Sequence, residues 1–233
     1  MAGIGDEFYQ ATKYSLGAVT DYGPLLPQPY ATVDLPEPRT QARSALVSLL
    51  RERRSWRKFA GDPIDLEKLS FLLWASDGVT MKTGPQFRTA PSAGARHPLD
   101  TYVIANRIKG LGKGIYLYDV PRHALQMVRK GDFEEAAVKA SAGQEWVRGS
   151  AAVFVWIAEF ARTTSRYKER GYRYVLLDAG HICQNLYLAC AASGLGITAI
   201  AALADDEANA LVAADGRERS VAYMAALGIR KYE

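Results

Sequence analysis

Residues 179–204 read AGHICQNLYLACAASGLGITAIAALA, and whether this stretch crosses a membrane or folds within a globule decides the architecture. It contains no Asp, Glu, Lys or Arg and is long enough to span a bilayer. His181, Gln184 and Asn185 lie inside it, however, and the run Ser193-Gly194-Leu195-Gly196 ends a helix. The stretch therefore divides into the end of a buried helix over 173–193 and a short strand, Ile197–Ala201. Upstream, Ala151–Ala158 (AAVFVWIA) is a continuous apolar run, which suits a central strand covered on both faces. A helix from Asp205, read as its cap, to about 214 and a last strand, Val221–Ile229, complete the C-terminal half.

Working toward the N-terminus, residues 132–142 read as a helix. Thr101–Ile108 and Gly114–Tyr118 read as strands, and the turn Val120–His123 joins the second of these to Ala124–Arg129 as a hairpin. Segment 79–99 is rich in Gly, Pro, Thr and Ser and reads as a structured loop. It follows a helix over 66–76, with Asp65 as N-cap and Gly78 as stop. Leu46, Leu49, Leu50 and Arg53 share one face of a helix over 42–53. The first forty residues carry Pro24, Pro27, Pro29, Pro36 and Pro38, so 1–41 reads as an extended arm on a single domain, 42–233. Strands and helices are mixed and one hairpin is present, which gives an α+β class.

At 233 residues and 48% apolar composition, the chain can bury a full core without disulfide or metal staples. Its two cysteines, Cys183 and Cys190, lie about 10 Å apart along one helix, too far for a disulfide. Together with a start, MAGIGDEFYQATKYS, that lacks a secretory pattern, this predicts a cytoplasmic protein. The net charge of +4 is too mild to argue for nucleic acid. His97, His123 and His181 fall in separate elements, which excludes the usual zinc spacings. No G-x-S-x-G elbow occurs, and Gly110, Gly112 and Gly114 precede a strand instead of leading from one into a helix.

Two constellations remain. Residues 51–58, RERRSWRK, set five cations against one acid. Such a run can be a solvated helix end, or Arg53, Arg57 and the Ser55 hydroxyl can converge on a phosphate. The run Pro91-Ser92-Ala93-Gly94-Ala95 can be a plain turn, or its small side chains can let a flat ring approach the backbone, with Arg88 or Arg96 nearby. Phosphate at one end and heterocycle at the other outline a mononucleotide such as FMN.

Arg53-Arg54-Ser55-x-Arg57 followed by Phe59 resembles the N-terminal signature of the FMN-dependent nitroreductase family. Several further segments resemble its SagB-type branch, which includes azoline dehydrogenases. They are Ala11–Tyr14, Leu73-Trp74-Ala75, Arg88-x-x-Pro91–Ala95, Tyr116-x-Tyr118, Arg170–Tyr174, Asp178–His181, Gln184–Tyr187 and Gly194–Gly196. The resemblance implies a central, mostly antiparallel sheet flanked by helices, in an intertwined homodimer with FMN at the subunit interface. It assigns Arg53, Arg54, Ser55 and Arg57 to the phosphate and ribityl chain, and Pro91, Ser92, Ala93 and Gly94 to the pyrimidine edge. A backbone N–H at Ala201 or Ala202 would meet flavin N5, and Arg230 or Lys231 would complete the phosphate site.

The branch's Lys-Tyr pair has Arg166-Tyr167 as its nearest counterpart, and arginine, always charged, cannot serve as a general base. The implied activity is a ping-pong hydride transfer on a small molecule or peptide, with NAD(P)H as a candidate donor. Two narrower alternatives are an azoline-to-azole dehydrogenase acting on a modified peptide and a non-catalytic flavin store.

Overall fold

The computed structural model describes residues 3–11, 20–23, 31–36, 46–81 and 87–232. Thr12–Tyr14, the prolines 24, 27, 29 and 38, the start of the 42–53 helix and Lys82 lie outside them. The helices and strands, in chain order, are α1 (Ile4–Ala11), β1 (Thr32–Asp34), α2 (Leu46–Glu52), β2 (Ile64–Asp65) and α3 (Leu66–Asp77). Then follow β3 (Leu99–Ala105), β4 (Ile108–Lys109), β5 (Gly114–Asp119), β6 (Ala124–Lys130) and α4 (Glu134–Ala140). The last are β7 (Ala152–Glu159), α5 (Phe160–Tyr167), α6 (Arg170–Ala192), β8 (Leu195–Ile200), α7 (Asp205–Val212) and β9 (Arg219–Ile229).

Seven strands form one sheet in the order β1-β6-β5-β3-β7-β9-β8, and every neighbouring pair is antiparallel. Side chains alternate across β7. Phe154 and Trp156 enter a core with Leu69, Leu72 and Leu73 of α3 and Val175, Ile182 and Leu186 of α6. Val153, Val155 and Ile157 enter a second core with Ala137 and Val138 of α4 and Leu211 and Val212 of α7. Burial on both faces is why this strand reads as an unbroken apolar run. The architecture is thus the expected α+β arrangement, helices on both faces of an antiparallel sheet.

Several expectations need correction. The N-terminal region contributes more than an arm, because β1 extends the sheet against β6 and α1 packs on the body. Tyr9 of α1 meets Phe160 edge-on at 4.8 Å and donates its hydroxyl proton to Val221 O at 2.9 Å. The strand expected over Thr101–Ile108 starts at Leu99 and stops at Ala105, and Ile108–Lys109 instead pairs with β2. The long helix begins at Arg170, three residues before the expected 173. Asp65 occupies the N-cap position of α3 without a side-chain capping bond and pairs with Lys109 at 3.2 Å. Asp205 is the first helical residue of α7, where its charge favours the helix dipole, and Ala204 is the cap. Gly78 does stop α3, but in extended backbone; it is glycine because a Cβ would come within 2.6 Å of Trp74 O.

Candidate functional site

β8 is an edge strand, and what covers its free edge builds the site. Trp56 N–H donates to Ile197 O at 2.8 Å, and Thr198 Oγ1 donates to Trp56 O at 2.7 Å. Two residues on, Ala199 N–H donates to the Tyr187 hydroxyl at 2.8 Å. β8 ends one residue later, at Ile200, and the chain turns at Ala201. Leu203 N–H donates to Ala201 O at 3.1 Å, closing a tight turn into α7 and leaving Ala201 and Ala202 exposed.

Tyr187, on α6, is the hub of this edge. Its hydroxyl lies 3.0 Å from Ser55 Oγ, and the Arg53 guanidinium sits 5.4 Å from its ring centroid. Arg53 and Ser55 therefore converge. Arg54 does not join them; it folds back to donate to Arg51 O and Arg53 O, both at 2.9 Å. The chain leaves β8 after Trp56 and pairs with its own C-terminal end, through Ala60 N–H to Ile229 O and Lys231 N–H to Lys58 O. Arg57 is thereby carried to the α4 side, 5.8 Å over Trp146, in a separate open cleft of about 410 Å³. Arg230 lies over Trp56 at 5.6 Å and donates to Leu195 O at 3.0 Å. The expected single convergence of Arg53, Arg57 and Ser55 is thus split by the path of the chain.

Past the end of β8, a cleft of about 430 Å³ opens between Phe8, Tyr9, Leu176, Ala201, Ala202 and Asp205. Its walls mix polar and apolar surface in similar shares, and Phe8 of α1 is 56% exposed.

The turn at 91–95 is built on α6. Ser92 Oγ donates to Asp178 Oδ2 at 2.7 Å, Ala93 N–H donates to the same carboxylate at 3.3 Å, and His97 N–H donates to Ser92 Oγ at 2.8 Å. Gly94 has φ +63, and a Cβ on it would lie 2.6 Å from the Tyr167 hydroxyl and 3.5 Å from Arg166 Nη1. The structure therefore brings Arg166 and Tyr167 to this turn. Arg88 is not free to serve it, because it is half-buried and paired with the buried Asp77 at 2.5 Å; Arg96 is exposed. Burial pushes the Asp77 carboxyl up to about 7 although Arg88 pulls it down, and burial raises Asp178 as well. Asp178 and Tyr187 are nine residues apart on α6, about two and a half turns, so they occupy opposite faces. Within the chain the helix separates the turn from the Arg53–Ser55 edge.

Burial pushes the Cys183 thiol up to about 12 and raises Cys190 too, so neither is an activated nucleophile. His123 is fixed between the Tyr118 hydroxyl and Ser70 Oγ, both at 2.8 Å. Among the described residues there is no metal-binding group of His, Cys, Asp and Glu, and no helix long and apolar enough to cross a membrane. Tyr187 and Asp178 received no role from the sequence, although Asp178, the one acid of the long helix, was a visible signal.

The chain matches the nitroreductase family profile over residues 50–229. It is 36% identical over 162 residues to a Methanocaldococcus jannaschii protein provisionally named a nitroreductase, covering 70% of this chain and 81% of that protein. It is 33% identical over 134 residues to a trifolitoxin-processing protein of Rhizobium leguminosarum bv. trifolii, covering 54% of this chain but only 36% of that protein. A Ralstonia eutropha crystal structure, also provisionally named a nitroreductase, superposes with a TM-score of 0.74 at 26% identity, covering 93% of this chain and all of that one. A chain of the Escherichia coli microcin synthetase complex, solved with its truncated precursor bound, shares the fold with a TM-score of 0.68 at 18% identity, covering 97% of this chain and 87% of that one. With the profile spanning most of the sheet and the helices around it, the chain belongs to the nitroreductase family.

Proposed function

We propose that this nitroreductase-family oxidoreductase depends on FMN and works as a homodimer. The observation that carries the reading is the line Arg53–Ser55–Tyr187–Ala199–Ala201 along the open edge of β8. It begins with a guanidinium and a hydroxyl and ends at the exposed pair Ala201–Ala202, an arrangement suited to a phosphate at one end and a flat heterocycle at the other. Among the described residues Arg53, Arg54, Arg57 and Arg230 have no carboxylate partner, which leaves their charge for an anion.

In this reading Arg53, Ser55 and Arg230 hold the phosphate, Arg54 is a flanking cation, and Arg57 stands apart in its own cleft. Ala201 or Ala202 would offer a backbone N–H to flavin N5, and their small side chains would leave room for the ring. FMN, when bound, supplies reversible two-electron chemistry between a reducing and an oxidising substrate. The cleft of Phe8 and Leu176 at the end of β8 receives the substrate. Pro91, Ser92, Ala93 and Gly94 contact the pyrimidine edge of a flavin held by the other copy, since α6 separates them from their own β8 edge. Tyr167, beside Gly94, is the candidate proton carrier, and Arg166, 5.4 Å from its ring centroid, orients that phenol.

Dimerisation is supported by uncovered apolar groups. Leu46, Val47 and Leu50 of α2 are 61%, 57% and 52% exposed, and Leu177 of α6 is 55% exposed. The reduced, buried thiols suit a cytoplasmic setting.

A narrower reading is a SagB-type azoline dehydrogenase acting on a peptide within a modifying complex. The trifolitoxin-processing relative and the microcin synthetase neighbour favour it. Arginine at 166, in place of a lysine, weighs against it. The deciding experiment is the absorption spectrum of purified protein after heat release, followed by anaerobic reduction. Yellow protein releasing FMN, with an analytical-ultracentrifugation mass of two chains, is expected; colourless monomer that takes up no FMN refutes the reading. Reduction by NAD(P)H alone favours a general reductase, and reduction only by an azoline peptide favours the narrower one.

A further inference from the structure

Asp178 is the only carboxylate in the 23 residues of α6, and only 4% of it is exposed. A buried acid needs a reason, because removing its charge from water is costly unless donors meet it. No described cation forms a salt bridge with it; the donors that meet it are Ser92 Oγ–H and Ala93 N–H, both from the turn. The turn itself needs holding. Gly94, Ala95 and His97 have φ of +63, +52 and +44, and left-handed backbone at two non-glycine residues persists only where surroundings enforce it. Ser92 Oγ links both ends of this arrangement, donating to Asp178 and accepting from His97 N–H. A cavity of about 10 Å³ beneath the turn, near the size of a single water, is lined by Asp77, Ser92, His97 and Asp178. Asp77 cannot take over the role of Asp178, since it is already bound to Arg88.

We propose that Asp178 is a positioning residue: from inside α6 its carboxylate sets the Ser92–Ala95 turn, and through Gly94 the Tyr167 hydroxyl, against the flavin. The inference rests on the FMN reading above. Its reach comes from the proximity at Gly94, where a side chain would come within 2.6 Å of the Tyr167 hydroxyl, so the phenol lies directly beside the turn.

The test is FMN titration of cofactor-free protein, followed by quenching of flavin fluorescence and by the visible absorption band, for wild type, Asp178→Asn, Ser92→Ala and the double variant. Asparagine keeps the shape but replaces one acceptor oxygen with a donor. Each single variant is expected to raise the FMN Kd by roughly tenfold, the effect of one lost bond to a charged group. The double variant should be little worse than the worse single one, because both act through one turn. The bound-flavin band should move toward that of free FMN, a change that general destabilisation of the fold would not produce. Single variants within about twofold of wild type, or a double effect equal to the product of the two, overturn the proposal. If Asp178→Asn does not fold, Ser92→Ala against Ser92→Thr decides: threonine, keeping the hydroxyl, should restore affinity, and equal values overturn the proposal. Wild-type protein that takes up no FMN overturns the flavin reading itself, whereas normal wild-type uptake with unchanged variants overturns only the role of Asp178.

Discussion

Replacing Tyr187 with phenylalanine isolates the hydroxyl that ties α6 to the edge of β8. The ring beneath Arg53 stays, so the cation–π contact is retained and only two hydrogen bonds are lost. One is from Ala199 N–H at 2.8 Å and the other is shared with Ser55 Oγ at 3.0 Å. Each neutral bond contributes about 1 kcal/mol net. An orphaned backbone N–H can add a further penalty, but Ala199 is only half-buried, so water replaces part of the loss. The expected destabilisation is therefore about 2 kcal/mol, or roughly 4–8 °C in Tm for a chain of this size. Urea unfolding followed by tryptophan fluorescence measures it directly, and the m value should not change. A loss below about 0.5 kcal/mol would refute the reasoning, because water would then satisfy that edge as well as the tyrosine does.

Further outcomes follow from the same geometry. Gly94→Ala places a side chain in the left-handed region, about 1–2 kcal/mol by itself, and displaces the Tyr167 hydroxyl; thermal unfolding should register more than the backbone cost alone. Arg53→Ala should weaken FMN binding by about 1.5–3 kcal/mol, read by fluorescence titration. Asp77 gives a pH signature. Its folded pKa is raised from 3.8 to about 7, so its contribution to stability is full below the unfolded value and is lost as pH rises toward 7. Asp77→Asn removes that proton linkage. Between pH 5 and 7 the stability of wild type relative to the variant should therefore fall, by up to about 1.4 kcal/mol per pH unit, and chemical denaturation at a series of pH values checks it. A difference that stays flat across this window would contradict the buried, proton-binding state of Asp77.

Much of the fold was legible because burial writes itself into local pattern. AAVFVWIA is apolar at every position since α3 and α6 cover one face of β7 and α4 and α7 the other. The Gly194 break was legible for the same local reason, and helix and strand flank it as expected. Caps were less so, since Asp65 and Asp205 stand at helix starts by sequence but their side chains make no capping bond. Of the site, the sequence pointed to Arg53, Ser55 and Arg57 as one cluster, and the structure brings Arg53 and Ser55 to Tyr187 while carrying Arg57 to Trp146. Tyr187 passed without a role because nothing in a run of apolar helix residues marks the one whose hydroxyl meets a strand edge.

The amino-acid sequence by itself determined the layers, the periodicity of each element and the chemistry available, because these depend on residues within a few positions of one another. Only the tertiary structure decided which cations share a site. Ser55 and Arg57 differ by two positions, yet one faces Tyr187 and the other Trp146, because the chain crosses from β8 to the end of β9 between them. Ser92 and Asp178 lie 86 residues apart and are joined by one hydrogen bond. Such pairings arise from how the sheet edge and α6 pack, and no local pattern carries that information.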